Sequence, residues 1–291
     1  MGAKPSGNVG KVGWLILLAA AALAQTGPPD ASWGADRLAA YVASGDTASA
    51  VAAAKALAEI KDNTVAFNAL AGAVENKKLD GPVRVAAIHA LEGYGEPRAA
   101  ASFIAVFGHD DVRWAAADAL VHFKSDDVTN RLVRTLTADK KAKRRATAAY
   151  ALGRLRDAAA FRPLVAALAD RDADVRARAC AAVAAHGDAA GVEPLIGNLK
   201  NDKDWRARVA AARALGVVRD ERSVRPLSEA LGDERPEVRA AAAASLAAIG
   251  DARAMDPLRT RLKKEKDKAA RAAMTQALND LKTAILSDVK P

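Results

Sequence analysis

The chain has 291 residues, of which 51% are hydrophobic but only 4% aromatic. This length and apolar content allow a sizeable core built mainly from Ala, Leu and Val, and the absence of alternating β-branched runs argues against strands. The 44 basic and 35 acidic side chains give a formal net charge of +9, which suits an anionic partner or merely solubility. A single cysteine, Cys180, excludes an intrachain disulfide, and its alanine-rich surroundings favour a buried structural role.

The N-terminal segment differs in composition from the rest of the chain. Lys4 and Lys11 precede an apolar run that ends in Ala22-Leu23-Ala24, the small-x-small form of a signal-peptidase site. The run is shorter than the ~20 residues of a membrane-spanning helix. We therefore predict a signal peptide over 1–24 and a breaker-rich linker over 25–34. The protein is expected to be periplasmic or secreted in a bacterium, with no membrane span after cleavage; an uncleaved N-terminal anchor is the alternative.

A repeat runs through most of the remaining chain. An arginine is followed seven residues later by an aliphatic residue, and successive arginines stand 29 to 32 positions apart. The pairs are Arg84/Leu91, Arg113/Leu120, Arg145/Leu152, Arg176/Val183, Arg208/Leu215, Arg239/Leu246 and Arg271/Leu278. Self-similarity at this period is typical of stacked helical repeats, whose members bury their apolar faces against one another.

Each repeat is predicted to contain two helices, A and B. Helix A carries the arginine and the aliphatic residue, as at 175–185 and 238–249. Proline is tolerated only near a helix start, so helix B begins a few residues before a recurring proline, as at 161–168 and 224–231. These prolines are Pro163, Pro194, Pro226 and Pro257.

The two ends of the repeat array are predicted to be capped. Residues 35–44 indicate a lone N-terminal helix, and residues 267–286 indicate a longer final helix with one polar face. The sequence therefore predicts an all-α fold over 35–291, a right-handed α-α superhelix of about seven two-helix repeats.

Several segments carry a family resemblance. Asp174-Val175-Arg176-Ala177-Arg178-Ala179 and Arg162-Pro163-Leu164-Val165-Ala166-Ala167-Leu168 resemble HEAT repeats, in particular the short HEAT-like repeats named after phycobilisome lyases. The resemblance covers about residues 46–286. It implies the solenoid fold and leaves the function open, because such repeats serve as scaffolds, adaptors, lyases, hydroxylases and base-excision enzymes.

The recurrent arginines have a structural interpretation. Acidic residues precede many of them, as Asp172 and Asp174 precede Arg176. Pairing of each arginine with a loop carboxylate of its own or the adjacent repeat would join the repeats together. We therefore expect the arginines to hold the array together rather than to bind a ligand.

Two enzymatic branches of the resembling family were compared with the residues present. The iron-dependent hydroxylases use His-Glu pairs as ligands, whereas here no histidine is followed by glutamate. The base-excision enzymes use Trp and Asp on a basic face, and Trp114 and Asp118 stand one helical turn apart. Acidic loops interrupt the basic clusters, however, and export would separate the protein from chromosomal DNA. The sequence thus argues against nucleic acid and predicts no catalytic, metal or cofactor residue.

The favoured function is a non-catalytic protein-binding scaffold or adaptor of the cell envelope. We expect helix B to line the concave face and to hold a protein or an extended acidic peptide, with the chain a monomer. The candidate binding residues are Arg131, Arg134, Asn198, Arg259 and Arg261. A HEAT-like enzyme of the lyase type and a binder of anionic polymer or nucleic acid are the alternatives.

Overall fold

The computed structural model describes residues 28–288, with side chains up to residue 285. The predicted signal peptide lies outside the described residues, as does the start of the linker. Within the described part the chain forms 16 α-helices and no strand. They are α1 (Ala35–Ser44), α2 (Thr47–Glu59), α3 (Thr64–Glu75), α4 (Gly81–Tyr94), α5 (Ala99–Ala105), α6 (Arg113–Ala119), α7 (Asp126–Ala138), α8 (Ala142–Leu155), α9 (Phe161–Ala167), α10 (Ala173–His186), α11 (Val192–Asn201), α12 (Trp205–Val218), α13 (Val224–Ala230), α14 (Pro236–Ile249), α15 (Met255–Leu262) and α16 (Lys268–Asp288).

Helices α2 to α15 form seven A–B pairs. The even-numbered helices α2 to α14 are the A helices, and the odd-numbered helices α3 to α15 are the B helices. Helix α1 precedes the first pair and packs on α2, and α16 follows the last pair and packs on α14 and α15. The predicted all-α array of two-helix repeats is confirmed.

The turn between helices A and B has the same local chemistry in several repeats. In four repeats an aspartate accepts a hydrogen bond from the backbone N–H two residues on and starts a 3-10 turn that leads into helix B. These aspartates are Asp157, Asp188, Asp220 and Asp251. The recurring proline then falls on the third residue of helix B, within the first turn, where its missing N–H leaves no intrahelical bond unmade.

One continuous apolar core runs along the array from Ala35 to Leu281. The aliphatic residue of each repeat lies in it, and Leu91, Leu152 and Leu215 have no exposed surface. Burial of each such side chain contributes about 1.5–3 kcal/mol. Cys180 is also fully buried, as its alanine-rich surroundings indicated.

Neighbouring A helices pack closely against one another. Gly153 of α8 lies so near α10 that an added Cβ would come within 2.8 Å of the Ala182 Cα and Cβ atoms. Gly216 of α12 is equally close to Ser245 of α14, whose hydroxyl donates a 2.8 Å hydrogen bond to the Ala212 carbonyl. From α8 to α14, neighbouring A helices pack much more closely against one another than neighbouring B helices do.

The curvature of the array follows from this difference in packing. The layer with the closer spacing between repeats must lie on the inner side of the curve. In agreement, the Arg178 guanidinium of α10 reaches over α8 and lies 4.7 Å from the Trp114 ring centroid of α6. The concave side over these repeats is therefore formed by the A helices, and the expectation that helix B lines it was wrong.

Candidate functional site

The recurrent arginines form a ladder between the repeats. From the fourth repeat onward each of four arginines makes a two-pronged ion pair with an acid that follows helix B of its own repeat, 25 or 26 residues later. The pairs are Arg145–Asp170, Arg176–Asp202, Arg208–Asp233 and Arg239–Glu265, at 2.6–3.0 Å. Arg84 pairs with Asp111 in the same way through one nitrogen, at 2.5 Å.

From the fourth repeat onward the ladder is continuous, because each acidic residue accepts hydrogen bonds from two arginines. The Asp202 carboxylate accepts from Arg176, and the Asp202 carbonyl accepts from Arg208 at 2.9 Å. The same relation holds at Asp170, Asp233 and Glu265. Because these ion pairs are mostly buried and their hydrogen bonds are charge-assisted, they fix the spacing of successive repeats. The arginines therefore have the structural role that was predicted for them.

The ladder is interrupted at the third repeat. Among the described residues the ion pair of Arg113 is a long contact of 3.5 Å with Asp110, and its buried Nε has no hydrogen-bond partner. Its guanidinium lies 4.5 Å from the Trp114 ring centroid. The corresponding acid, Asp139, pairs instead with Arg144 at 2.7 Å. Helix α6 is also the shortest of the described A helices. It has seven residues and is followed by a 3-10 turn at Leu120–Phe123.

The predicted binding residues lie on three separate B helices. Arg131 and Arg134 are on α7, Asn198 is on α11, and Arg259 and Arg261 are on α15. These helices belong to alternate repeats, so the described packing does not bring the three groups together. Their role in binding remains a prediction.

Most of these side chains already have partners within the chain. Arg131 pairs with Asp127 at 2.7 Å, and Arg259 has a 3.4 Å contact with Asp256. Arg134 reaches only the Asn130 carbonyl, at 3.4 Å. The other two predicted binding residues contact acidic residues of the arginine ladder.

Those two residues are Asn198 and Arg261. Asn198 donates to the Leu168 carbonyl at 2.9 Å and lies beside Asp202, in a surface groove of about 480 Å³. Arg261 donates to Glu265 at 3.2 Å and thereby joins the Arg239–Glu265 pair. These contacts indicate that Asn198 and Arg261 contribute to the stability of the array.

A second groove lies on the concave face, between α10 and α12. We call it the helix A groove; its volume is about 640 Å³. It is lined by Arg156, Asp174, Ala177, Arg178, Ala181, Ala184, Ala185, Trp205, Arg206, Val209, Ala210, Arg213, Ala214, Val217 and Glu237. Val217 is 65% exposed there, which is unusual for a large apolar side chain in this chain. An exposed apolar groove rimmed by charged side chains is typical of a binding surface.

An aromatic cluster adjoins the groove on the same face. The rings of Trp114 and Tyr150 meet edge to face, with centroids 5.2 Å apart. The Tyr150 hydroxyl donates to Asp118 at 2.7 Å, and Arg154 pairs with the same carboxylate at 3.1 Å. Burial, followed by the hydrogen bond to Asp118, raises the pKa of Tyr150. Trp114 and Asp118 thus share one cluster, as their spacing suggested, but Asp118 is engaged with neighbouring side chains.

The sequence analysis missed the helix A groove because it assigned the concave face to helix B. A signal for it was nevertheless present. On the groove-lining side of α12, Trp205, Val209, Arg213 and Val217 follow one another at four-residue spacing, whereas the aligned stripe of α10 is mostly alanine. Bulky and charged residues that depart from the repeat consensus on one face indicate a specialised surface.

The buried Cys180 does not offer a reactive thiol. Burial raises the pKa of the Cys180 thiol to about 12, so it is protonated at neutral pH. No group of three or more potential metal ligands occurs among residues 28–288. Within the same residues, no helix is both long and apolar enough to cross a membrane.

Comparison with known proteins agrees with this architecture. The profile of HEAT repeats matches residues 77–153, 108–184, 130–208 and 192–279. No curated protein matches the chain. The karyopherin Kap121p, bound to the extreme C-terminus of the protein phosphatase Cdc14p, has a TM-score of 0.67 at 13% identity; the match covers 86% of this chain and 33% of that one.

Two further solved structures match over their whole length. Human deoxyhypusine hydroxylase in complex with glycerol is 19% identical, with 87% of this chain and 97% of that chain covered and a TM-score of 0.39. The complex of CpcE and CpcF of phycocyanin lyase, from a Nostoc species, is 18% identical, with 89% and 97% covered and a TM-score of 0.39. The Kap121p likeness supports the fold alone. Because the HEAT profile matches cover most of the chain and the described helices stack as two-helix repeats, the chain belongs to the HEAT-repeat family.

Proposed function

We propose that this protein is a non-catalytic scaffold that binds a partner protein on its concave helix A face. The observation that carries the proposal is the helix A groove, where the exposed Val217 stands beside the charged side chains of Arg156 and Arg213. Kap121p, whose structure has the same fold, is bound to a segment of another protein. A HEAT array of this kind is therefore able to hold a protein chain.

The proposal includes export to the bacterial envelope. Its support is the sequence of residues 1–24, with two lysines, an apolar run and a small-x-small end. Mass spectrometry of the protein from its own cells tests this location. The expected N-terminal residue is Gln25 in the periplasmic or secreted fraction; an intact N-terminus in the membrane fraction would support the anchor instead.

Site-specific photocrosslinking tests the binding face. A photoreactive amino acid is placed at Val217 in the helix A groove and, as a matched control, at Arg259 on helix B. In the cells that make the protein, we expect a protein adduct from position 217 and none from position 259. Adducts from position 259 alone would indicate that the partner binds the B helices. A nucleic-acid adduct would contradict a protein partner.

A further inference from the structure

The helix A groove has two facing walls of different character. On α12, Trp205, Val209, Arg213 and Val217 recur every four residues, and on α10 the stripe of Ala177, Ala181 and Ala185 has the same spacing. Side chains at this spacing lie on one side of a helix. The α12 stripe covers about 18 Å along the helix axis, or about three turns. The alanine wall leaves room for a bulky occupant along that length.

The lining of the groove favours an occupant whose backbone is already hydrogen-bonded. The walls are helices, whose own backbone groups are paired internally, and they offer no sheet edge. No Asn, Gln, Ser or Thr side chain lines the groove. The acceptor side chains that line the groove, Asp174 and Glu237, are already paired with arginines, so an extended peptide would leave N–H groups unpaired on its buried side, at a cost in free energy. An α-helix pairs these groups within itself.

The charges around the groove favour an acidic occupant. The two acidic side chains that line the groove are already in ion pairs. Asp174 pairs with Arg178 at 3.6 Å, and Glu237 pairs with Arg235 at 3.2 Å. By contrast, the side chains of Arg156 and Arg213 form no ion pair or hydrogen bond with any residue among 28–288. Arg206, the remaining cation of the rim, pairs with Asp204 at 2.8 Å. Two unpaired guanidinium groups thus lie beside the apolar walls, where carboxylates of a partner would pair with them.

We propose that the helix A groove binds an acidic amphipathic helix of a partner protein. The apolar stripe of that helix packs between the alanines of α10 and the side chains of Val209 and Val217. Its carboxylates pair with Arg156 and Arg213. This inference rests on the proposed scaffold function and specifies the chemistry and secondary structure of the partner segment.

A synthetic peptide tests the inference directly. The probe is a fluorescein-labelled peptide of about 14 residues, with leucines at helical spacing and glutamates on the remaining face. One control peptide has the same composition in scrambled order, and a second has central prolines that prevent a helix. Fluorescence anisotropy with the full chain lacking 1–24 gives the affinities. We expect the amphipathic peptide to bind at least about tenfold more tightly than either control.

Four variants locate the site. Arg213→Glu and Val217→Asp are expected to weaken binding of the amphipathic peptide by about tenfold. Arg225→Glu and Val65→Asp, at exposed positions outside the groove, are matched controls that should leave it unchanged. Circular dichroism confirms that all four fold. Equal binding of the proline peptide, or equal losses in the control variants, would overturn the inference.

The outcome also separates this inference from the scaffold function. If position 217 crosslinks to a protein but the amphipathic peptide binds no better than its controls, the scaffold function stands and the helical partner is wrong. If position 217 yields no protein adduct, both fail.

Discussion

At the residue scale, the arginines of the ladder combine charge with a fixed geometry. A guanidinium presents its donors in a planar fork. The Arg176 Nε and Nη2 atoms donate to the Asp202 carboxylate, and Nη1 donates to the Asp170 carbonyl at 2.9 Å. A lysine at this position has a single ammonium and could not span both loops in the same way. The recurrence of Arg rather than Lys is therefore explained by the two loops that each side chain joins.

Replacement of Arg176 by alanine should destabilise the fold. The Arg176 and Asp202 side chains are 13% and 3% exposed, so the variant leaves a carboxylate buried without its partner. We expect a loss of about 3 kcal/mol, seen as a lower melting temperature. Arg225→Ala is the matched control, because Arg225 is 90% exposed and pairs only with Glu229 across one helical turn. Equal melting temperatures for Arg176→Ala and the unsubstituted protein would contradict a structural ladder.

Cys180 should be chemically inert in the folded protein. Its thiol is fully buried, and burial raises its pKa to about 12, so the nucleophilic thiolate is scarce at neutral pH. Thiol labelling with iodoacetamide should therefore be negligible in native buffer and complete in denaturant, as followed by mass spectrometry. Rapid labelling of the native protein would indicate an accessible thiol and contradict its buried position.

At the scale of the helices, close approach between neighbouring A helices determines which residues are tolerated. Most helix positions favour alanine over glycine, because glycine loses more backbone entropy on folding. Gly153 is an exception, because the backbone of α10 occupies the space that a Cβ would need. Gly197 on α11 has nothing within 4 Å of the same added atom. Substitution by alanine is therefore expected to have opposite effects on the stability of the protein at these two positions.

Gly153→Ala should destabilise the protein, whereas Gly197→Ala should stabilise it. At Gly153 the new methyl would lie 2.8 Å from Ala182 and force α8 and α10 apart, at a cost of about 1–3 kcal/mol. At Gly197 only the helix propensity changes, with a gain of about 0.5–1 kcal/mol. Urea unfolding of both variants measures the difference. Stabilisation by both substitutions would mean that the A helices can separate freely.

At the scale of the whole molecule, the ladder makes stability depend on the carboxylates between the repeats. Hydrogen bonds from Arg239 lower the pKa of Glu265 to about 2, against the opposing effect of burial. At Asp202 and Asp170 burial raises the pKa, but hydrogen bonds from the arginine and from a backbone N–H overcome it and the net shift is downward. The folded state thus favours the ionised form of the Asp170, Asp202 and Glu265 side chains.

Acidification should therefore loosen the array. A carboxyl whose folded-state pKa is depressed contributes stability above its unfolded value, and the contribution is lost as pH falls through the folded value. For Glu265 the window runs from 4.5 down to about 2. We expect the melting temperature to fall across this range and Glu265→Gln to show a smaller fall, since it lacks the titrating group. Identical pH profiles for the two proteins would contradict the role of Glu265.

The sequence by itself determined the repeat. The seven-residue spacing of arginine and aliphatic residue, the aspartates of the A–B turns and the prolines of helix B are local signals, and each has a local physical cause in side-chain periodicity, capping or the missing proline N–H. For the same reason it was possible to predict that the arginines would meet loop acids. The interruption at Arg113 was not predictable, because Asp110, Asp139 and Arg144 all compete at short range there and only the packed loops decide which pair forms.

The tertiary structure alone decided which side of the array is concave and where its groove lies. Curvature depends on the difference in spacing between the A and B layers, which is set by close contacts between repeats such as Gly153–Ala182 and Gly216–Ser245. Those contacts join residues about 30 positions apart, beyond the reach of any helical period. Consequently the sequence placed Arg208 and Leu215 on a helix A, but only the stacking of α10 on α12 brought Arg213 and Val217 of that helix into a groove with room for a partner.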